Sequence, residues 1–278
     1  MNYFSALLLV FGGLGATLLG LYLLYDMRRK GLLHKIESLP FPEAYKTILS
    51  KTPYYHRLSL ADQKRLQRSI LLFIHTKAFV GVHMDVTEEM KVIIAFYACL
   101  LLLHKETEEC YESLRTIIVY PHAVVTKQIK AFGGIYTKGE FLIQGQSAND
   151  TVVIAWHEAK KEAYHLRHSN VIIHEFAHEI DMMDGVVDGV PPIERSKYDG
   201  WVNVLYREFK TLNAIALKDR GWGKYKLLGD YAASNEAEFF AVATERFFES
   251  PASLKHHFPE LYNMLKGFYN IDTAKLCA

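Results

Sequence analysis

The chain has 278 residues, half of them hydrophobic and 23% charged, with a formal net charge of +1. That balance excludes a disordered chain and supplies no basic surface, so no nucleic-acid partner is expected. Cys99, Cys110 and Cys277 are odd in number and lack Cys-x-x-Cys spacing, which argues against a disulfide framework or a cysteine metal site.

Residues 3–25 carry no charge. As a helix they measure roughly 34 Å, enough for a hydrocarbon core of about 30 Å. Arg28, Arg29 and Lys30 follow at once, and no basic side chain precedes the stretch. That order is the reverse of a cleaved signal peptide. It predicts a single-pass anchor with its N-terminus outside and the body of the chain cytoplasmic. Gly12, Ala16 and Gly20 line one helix face and would let two spans meet as a homodimer. We therefore expect an anchor at 1–27, a linker holding Pro40 and Pro42 at 28–48, and one folded domain at 49–278. That domain divides into a helical part (49–112) and a catalytic part (113–278).

Helical periodicity is clear at 54–77, through Leu58, Leu66, Ile70 and Ile74, and again at 87–104, where Thr87 is a candidate N-cap. From Thr116 the period changes. Residues 117–121, 139–144 and 151–156 read as short strands, with 147–150 as the turn before the last. A peptide substrate could add itself to the 151–156 strand. His157, His165 and His168 fall in a polar stretch expected to be a solvated loop or short helix.

Residues 171–185, Val-Ile-Ile-His-Glu-Phe-Ala-His-Glu-Ile-Asp-Met-Met-Asp-Gly, carry the chemistry. His174 and His178 are four apart, so on a helix both imidazoles reach one metal ion. Glu175 lies on the same side, placed to take a proton from the attacking water without binding the metal. This is the content of His-Glu-x-x-His as a metallopeptidase signature. The competing interpretation is a buried amphipathic helix with two incidental histidines. Its apolar flanks sharpen the choice, because a buried cluster of this polarity needs a partner.

Gly185, Gly189, Pro191 and Pro192 end the metal helix. A helix is expected at 201–217, then a glycine-rich mobile loop at 218–229 that would cover the site. Ser234 or Asn235 should cap the next helix, packed through Phe239, Phe240, Phe247 and Phe248 and stopped by Pro251. A last helix falls at 260–269.

A zinc site needs a third donor, and spacing leaves two arrangements. Asp184 stands ten residues after the first His, but without the glycine that would bend the chain back to the metal. Alternatively a glutamate from the later helix serves: Glu236, Glu238, Glu245 and Glu249 are available. Glu238, followed directly by an apolar run, is modestly favoured, Glu236 and Glu249 suit solvent or capping, and Glu245 suits an outer contact. Asp181 could orient a ligand His.

From about residue 40 onward the chain resembles the Mlc titration factor A family of bacterial zinc metallopeptidases, whose site design is similar to that of the anthrax lethal factor catalytic domain. The likeness rests on Val119-Tyr-Pro121, Gly145-Gln-Ser147, Ile172-Ile-His-Glu-Phe-Ala-His-Glu-Ile-Asp181, Asp230-Tyr-Ala-Ala-Ser234 and Ala237-Glu-Phe-Phe-Ala-Val242. The resemblance implies an α+β zincin-like domain with a small sheet. One Zn²⁺ would be held by His174, His178 and Glu238, with Glu175 as general base and Tyr231 as donor to the oxyanion. It implies hydrolysis of a peptide or protein substrate, with exo- and endopeptidase action both open. It also implies a rival role, a tethered binding protein that sequesters a cytosolic partner such as a transcriptional repressor. The charge-free N-terminal stretch departs from the soluble members of that family and would place this protein in the bacterial inner membrane.

Overall fold

The computed structural model describes residues 3–105, 109–122, 124–126, 131–132, 135–136, 141–143, 150–166 and 169–277; for 3–10 and 124–143 it is the backbone that is described. The expected 139–144 strand is thus described over Phe141–Ile143, while the 147–149 turn, the 145–147 motif and His168 lie outside the described residues.

The chain divides into two units, Met1–Pro40 and Phe41–Ala278. The first is α1 (Tyr3–Glu37). It runs straight through much of the expected linker, because no proline interrupts the sequence before Pro40. Phe11, Leu14, Leu18, Leu21 and Tyr22 stand exposed around it. Among the described residues no helix is long and apolar enough to cross a membrane. The expected span draws on residues 3–10, whose side chains lie outside the description, and the remainder, 11–25, measures roughly 22 Å as a helix, short of a bilayer core of about 30 Å.

The second unit is mostly helical around a small sheet. After α2 (Glu43–Leu49), α3 (Leu60–Thr76) starts at Ser59, whose hydroxyl accepts the Asp62 N–H at 3.1 Å. A short strand, β1 (Ala78–Gly81), leads to α4 (Glu88–Leu101), where Thr87 is the cap and accepts the Met90 N–H at 3.3 Å. Every α4 residue from Val92 to Leu101 is buried, which explains a helix apolar on all sides. There follow β2 (Thr116–Tyr120), β3 (Val124–Thr126), β4 (Ala131–Phe132), β5 (Ile135–Tyr136), β6 (Phe141–Ile143) and β7 (Thr151–Ala155).

The main sheet has the order β1-β2-β7, all parallel, with Ala78 opposite Thr116 and Thr116 opposite Thr151. Strands β3/β6 and β4/β5 form two antiparallel pairs. Residues 152–155 are buried, as expected for a parallel strand covered on both faces, and β7 is an edge of its sheet. The strand stops one residue short of the expected 151–156, since Trp156 already opens α5 (Trp156–Ala163).

The remaining elements are α6 (Val171–Asp181), α7 (Arg195–Lys218), α8 (Glu236–Glu249), α9 (Pro251–His257), α10 (Pro259–Tyr269) and α11 (Thr273–Leu276). Helix α6 is central: it packs on β7, α4 and α8. Its Phe176 meets the rings of Phe73 and Tyr111 at centroid separations of 5.8 and 4.9 Å, which fixes the core-facing side and leaves the His side towards α8. Pro251 does more than end α8. It is the first residue of α9, where its missing N–H costs nothing.

The glycine-rich 218–229 segment is not a free flap. Residues 223–227 form a 3₁₀ turn in which Tyr225 is buried, with Leu228 buried directly after it. The Tyr225 hydroxyl donates to Glu208 at 2.7 Å, and Arg246 Nε donates to the Leu227 carbonyl at 2.6 Å, tying the turn to α7 and α8.

Candidate metal centre

Both helices that build the centre are fixed at their N-termini by side chains. Asn170 Oδ1 accepts the Ile173 N–H at 3.2 Å, and Glu162 Oε2 accepts the Val171 N–H at 2.7 Å, so α6 begins with its first donors satisfied. The Asn170 amide also donates to Glu249 Oε1 at 3.0 Å, stitching the start of α6 to the end of α8. Glu249 is therefore buried and partnered, not the solvent-facing residue its sequence position suggested. On α8, Asn235 is the cap and its Oδ1 accepts the Glu238 N–H at 2.9 Å, which anchors the backbone of Glu238 itself.

The far end of α6 is held against the start of α8 through Gly189. Its φ is +79°, and a Cβ there would lie 2.6 Å from the Glu236 carbonyl oxygen, so only glycine lets the loop lie on the first turn of α8. Its N–H donates to Asp181 Oδ2 at 2.9 Å, and its carbonyl accepts from Trp201 Nε1 at 3.1 Å. Asp181 is thus engaged with the loop, not with the ligand histidine it could have oriented.

His174, His178 and Glu238 come together. Glu238 Oε2 lies 3.1 Å from His174 Nε2 and 3.3 Å from His178 Nε2, and the two Nε2 atoms are 3.2 Å apart. Donors 2.0–2.1 Å from a tetrahedral ion would be separated by about 3.3 Å, so this triangle has the size of a metal site. The hydrogen bonding says the same. His174 Nδ1 lies 2.8 Å from Glu245 Oε1, so its proton is donated there and its Nε2 presents a lone pair. That lone pair faces a carboxylate oxygen and a second ring nitrogen, an arrangement that calls for a cation between them. The residues fit a metal ion.

Glu245 is the partner that sets the tautomer and orientation of His174. Sequence spacing singled out Glu245 among the α8 glutamates for an outer contact, and the structure forms one, but the chain separation of 71 residues kept its partner, His174, out of reach. Asp184 is turned away: its Oδ1 accepts the Val186 N–H at 3.1 Å in the exposed turn after α6, and it is absent from the donor cluster. Glu236 is half-buried in the first turn of α8 and is absent from the donor cluster.

With no cation between the donors, burial lowers the pKa of His174 but its bonds to Glu238 and Glu245 outweigh that and raise it to about 10, so a proton would stand on Nε2 where an ion would otherwise draw its lone pair. Burial works against the charge of Glu238 too, yet His174 and His178 hold its carboxyl well below the usual range. The cluster thus attracts positive charge. Glu175 is enclosed next to it: burial pushes its carboxyl up to about 8, with His174 pulling it back and Glu238 and Glu245 pushing it further. Tyr231, half exposed on the 3₁₀ turn before α8, has its ring 5.8 Å from that of His174. Burial and the neighbouring carboxylates of Glu238 and Glu175 push its phenol up, so it keeps its proton.

A His-Glu-x-x-His helix packed beneath a short parallel sheet, with a glutamate from a later helix closing the donor triangle, defines a protein of metallopeptidase type. The comparisons with known proteins agree. The family model described as glucose-regulated metallo-peptidase M90 matches residues 25–270, and the chain belongs to that family. An uncharacterized protein of Synechocystis sp., slr2042, is 33% identical over 263 residues, covering 91% of each chain. Mlc titration factor A of Serratia proteamaculans is 29% identical over 222 residues, 77% of this chain and 83% of that one. The protein of the same name from Edwardsiella ictaluri is 29% identical over 240 residues, 85% and 88% of the two chains.

Proposed function

We propose that this protein is a zinc-dependent peptidase in which His174, His178 and Glu238 hold the ion. The observation that carries this is the donor triangle with edges of 3.1, 3.2 and 3.3 Å, backed by Glu245 and bordered by Glu175. Two nitrogens and one oxygen on a tetrahedral scale suit Zn²⁺. When bound there the ion supplies a Lewis acid that polarises a scissile carbonyl and acidifies a water. Glu175 takes the proton of the attacking water on its carboxylate and returns it to the leaving amine. A proton-accepting group works best when its pKa lies near the working pH, and the raised value of Glu175 is in that direction. Tyr231 donates its phenolic proton in a hydrogen bond to the developing oxyanion, worth roughly 2.7–4 kcal/mol for a single donor of this kind. The outer edge of β7, packed on α6, is where an extended peptide would align.

The test is zinc content and hydrolysis of a fluorogenic peptide library, measured together on the full chain in detergent. Wild type is expected to hold zinc in the cluster and cleave. Glu238→Ala should lose that zinc and the activity, whereas Glu175→Gln should keep the zinc and lose hydrolysis. Full activity in Glu175→Gln would remove it as the base.

A regulatory reading has its own support, because several relatives bear the name Mlc titration factor A. A chain of this family could hold a protein partner of the repressor class, and the exposed apolar side chains of α1 would keep such a complex at the membrane. Zinc retention without cleavage of any peptide, together with capture of such a partner, would favour that role. Extraction from membranes by alkaline carbonate alone would remove the anchor.

A further inference from the structure

A second group of metal-ligating side chains lies apart from the α6/α8 cluster. Strands β2 and β7 run side by side in parallel, with Tyr120 opposite Ala155, so the residues leaving their carboxyl ends emerge together. The Pro121 carbonyl accepts the His157 N–H at 3.0 Å, which fixes the exit of β2 against the first turn of α5. His122 and His157 consequently face each other, with ring centroids 4.8 Å apart and planes inclined at 56°. Glu158 joins them, and one donor atom from each of the three residues lies within 4.8 Å of the others.

The Glu158 carboxylate adds an independent sign. Its Oε2 is fully enclosed yet has no hydrogen-bond partner among the described residues. An enclosed carboxylate oxygen normally has a partner, and going without one is costly. The His122 and His157 rings lie within reach of this carboxylate and, among the described residues, no cationic side chain hydrogen-bonds to its Oε2.

We propose that His122, His157 and Glu158 form a second divalent-metal site, of the two-histidine, one-carboxylate type, open to water. Its N₂O donor set suits Zn²⁺, Co²⁺, Ni²⁺ or Cu²⁺ over Mg²⁺ or Ca²⁺, which prefer oxygen. Both imidazoles are exposed, so binding must order them. The ion then fastens the end of β2 to the start of α5, clasping the two ends of the 123–156 excursion. Neither histidine belongs to the His-Glu-x-x-His helix, and this inference stands whether or not the protein is a peptidase.

The experiment is equilibrium dialysis of chelator-stripped full chain against Zn²⁺, with metal per chain read by mass spectrometry. Wild type should reach two equivalents, the second more weakly held. The His122→Ala/His157→Ala variant should reach one, with zinc affinity at the lost site reduced at least tenfold. His174→Ala/His178→Ala should also reach one, and the four-fold variant none. His256→Ala/His257→Ala, which removes another close imidazole pair (centroids 4.7 Å apart), should keep two. Loss of an equivalent in that variant instead, or unchanged stoichiometry in His122→Ala/His157→Ala, overturns the site. Should the double variant not fold by circular dichroism, His122→Gln, an exposed single change, is read the same way.

Discussion

The two histidine clusters differ in what stands behind them. At α6/α8 the three donors are already 3.1–3.3 Å apart, and His174 is braced by a buried carboxylate. The helices that carry them are capped by Asn170 and Asn235. At β2/α5 the two imidazoles are exposed, and among the described residues no side-chain hydrogen bond holds either ring. The chemistry of the donors is the same. The lesson is that affinity in such sites resides largely in the supporting residues, which prepay the ordering that a loose site must undergo on binding.

That contrast breaks most visibly if the support is removed from the tight site. Glu245→Ala should lower zinc affinity about 10–100-fold by freeing the His174 ring, while Glu245→Gln, whose amide oxygen still accepts from Nδ1, should recover part of the loss. Competition with a fluorescent zinc chelator measures both. Equal affinity in wild type and Glu245→Ala would show that the triangle holds itself. A smaller effect is expected from Gly189→Ala. The added methyl meets the Glu236 carbonyl at 2.6 Å in a left-handed conformation and must displace the first turn of α8, where Glu238 sits. We expect a loss of about 1–3 kcal/mol in stability and a several-fold loss in zinc affinity. Gly185→Ala is the control: φ is +92° but nothing lies within 4 Å, so strain should appear without any change at the metal.

How much of this was readable beforehand follows from the range of the interactions. The α6 histidine pair, the Thr87 and Asn235 caps and the apolar stripes are local patterns, decided within four residues, and the structure forms each as the spacing implied. Spacing leaned only modestly to Glu238 over Asp184 and the resemblance strengthened it, because the approach of Glu238 depends on α8 lying across α6. Glu245, Glu249 and Asp181 were harder still. All three are buried acids whose partners lie on a different element, His174, Asn170 and Gly189, and no periodicity encodes such pairings. The β1 strand is four residues with alternating partial burial, too short to signal itself. His157 is exposed in the short helix α5, as its polar stretch implied, but its nearness to His122 arises only through the parallel pairing of β2 with β7.

Among the described residues two enclosed carboxylate oxygens lack partners, Glu158 Oε2 and Asp181 Oδ1, and their surroundings assign them different solutions. Glu158 has two imidazoles within reach, whereas Asp181 has the Gly189 N–H on one oxygen and faces Asp184, Asp188 and, across the core, Tyr269. Burial pushes the Asp181 carboxyl up from 3.8 to about 7, with the two neighbouring aspartates adding to the rise and the Gly189 N–H opposing it. The folded protein therefore keeps a proton on Asp181 that the unfolded chain releases near pH 4. Where the native state binds more protons, stability falls as pH rises, so this residue weakens the fold progressively between about pH 4 and pH 7. Asp181→Asn keeps an acceptor for Gly189 and cannot ionise. Relative to wild type its thermal midpoint should be lowest at or below pH 4, gain progressively from there to pH 7 and stand above wild type at pH 8, with its zinc stoichiometry unchanged. Parallel pH profiles for the two proteins would mean that Asp181 is ionised in the fold and that a cation shields it, which would bring it under the same explanation as Glu158.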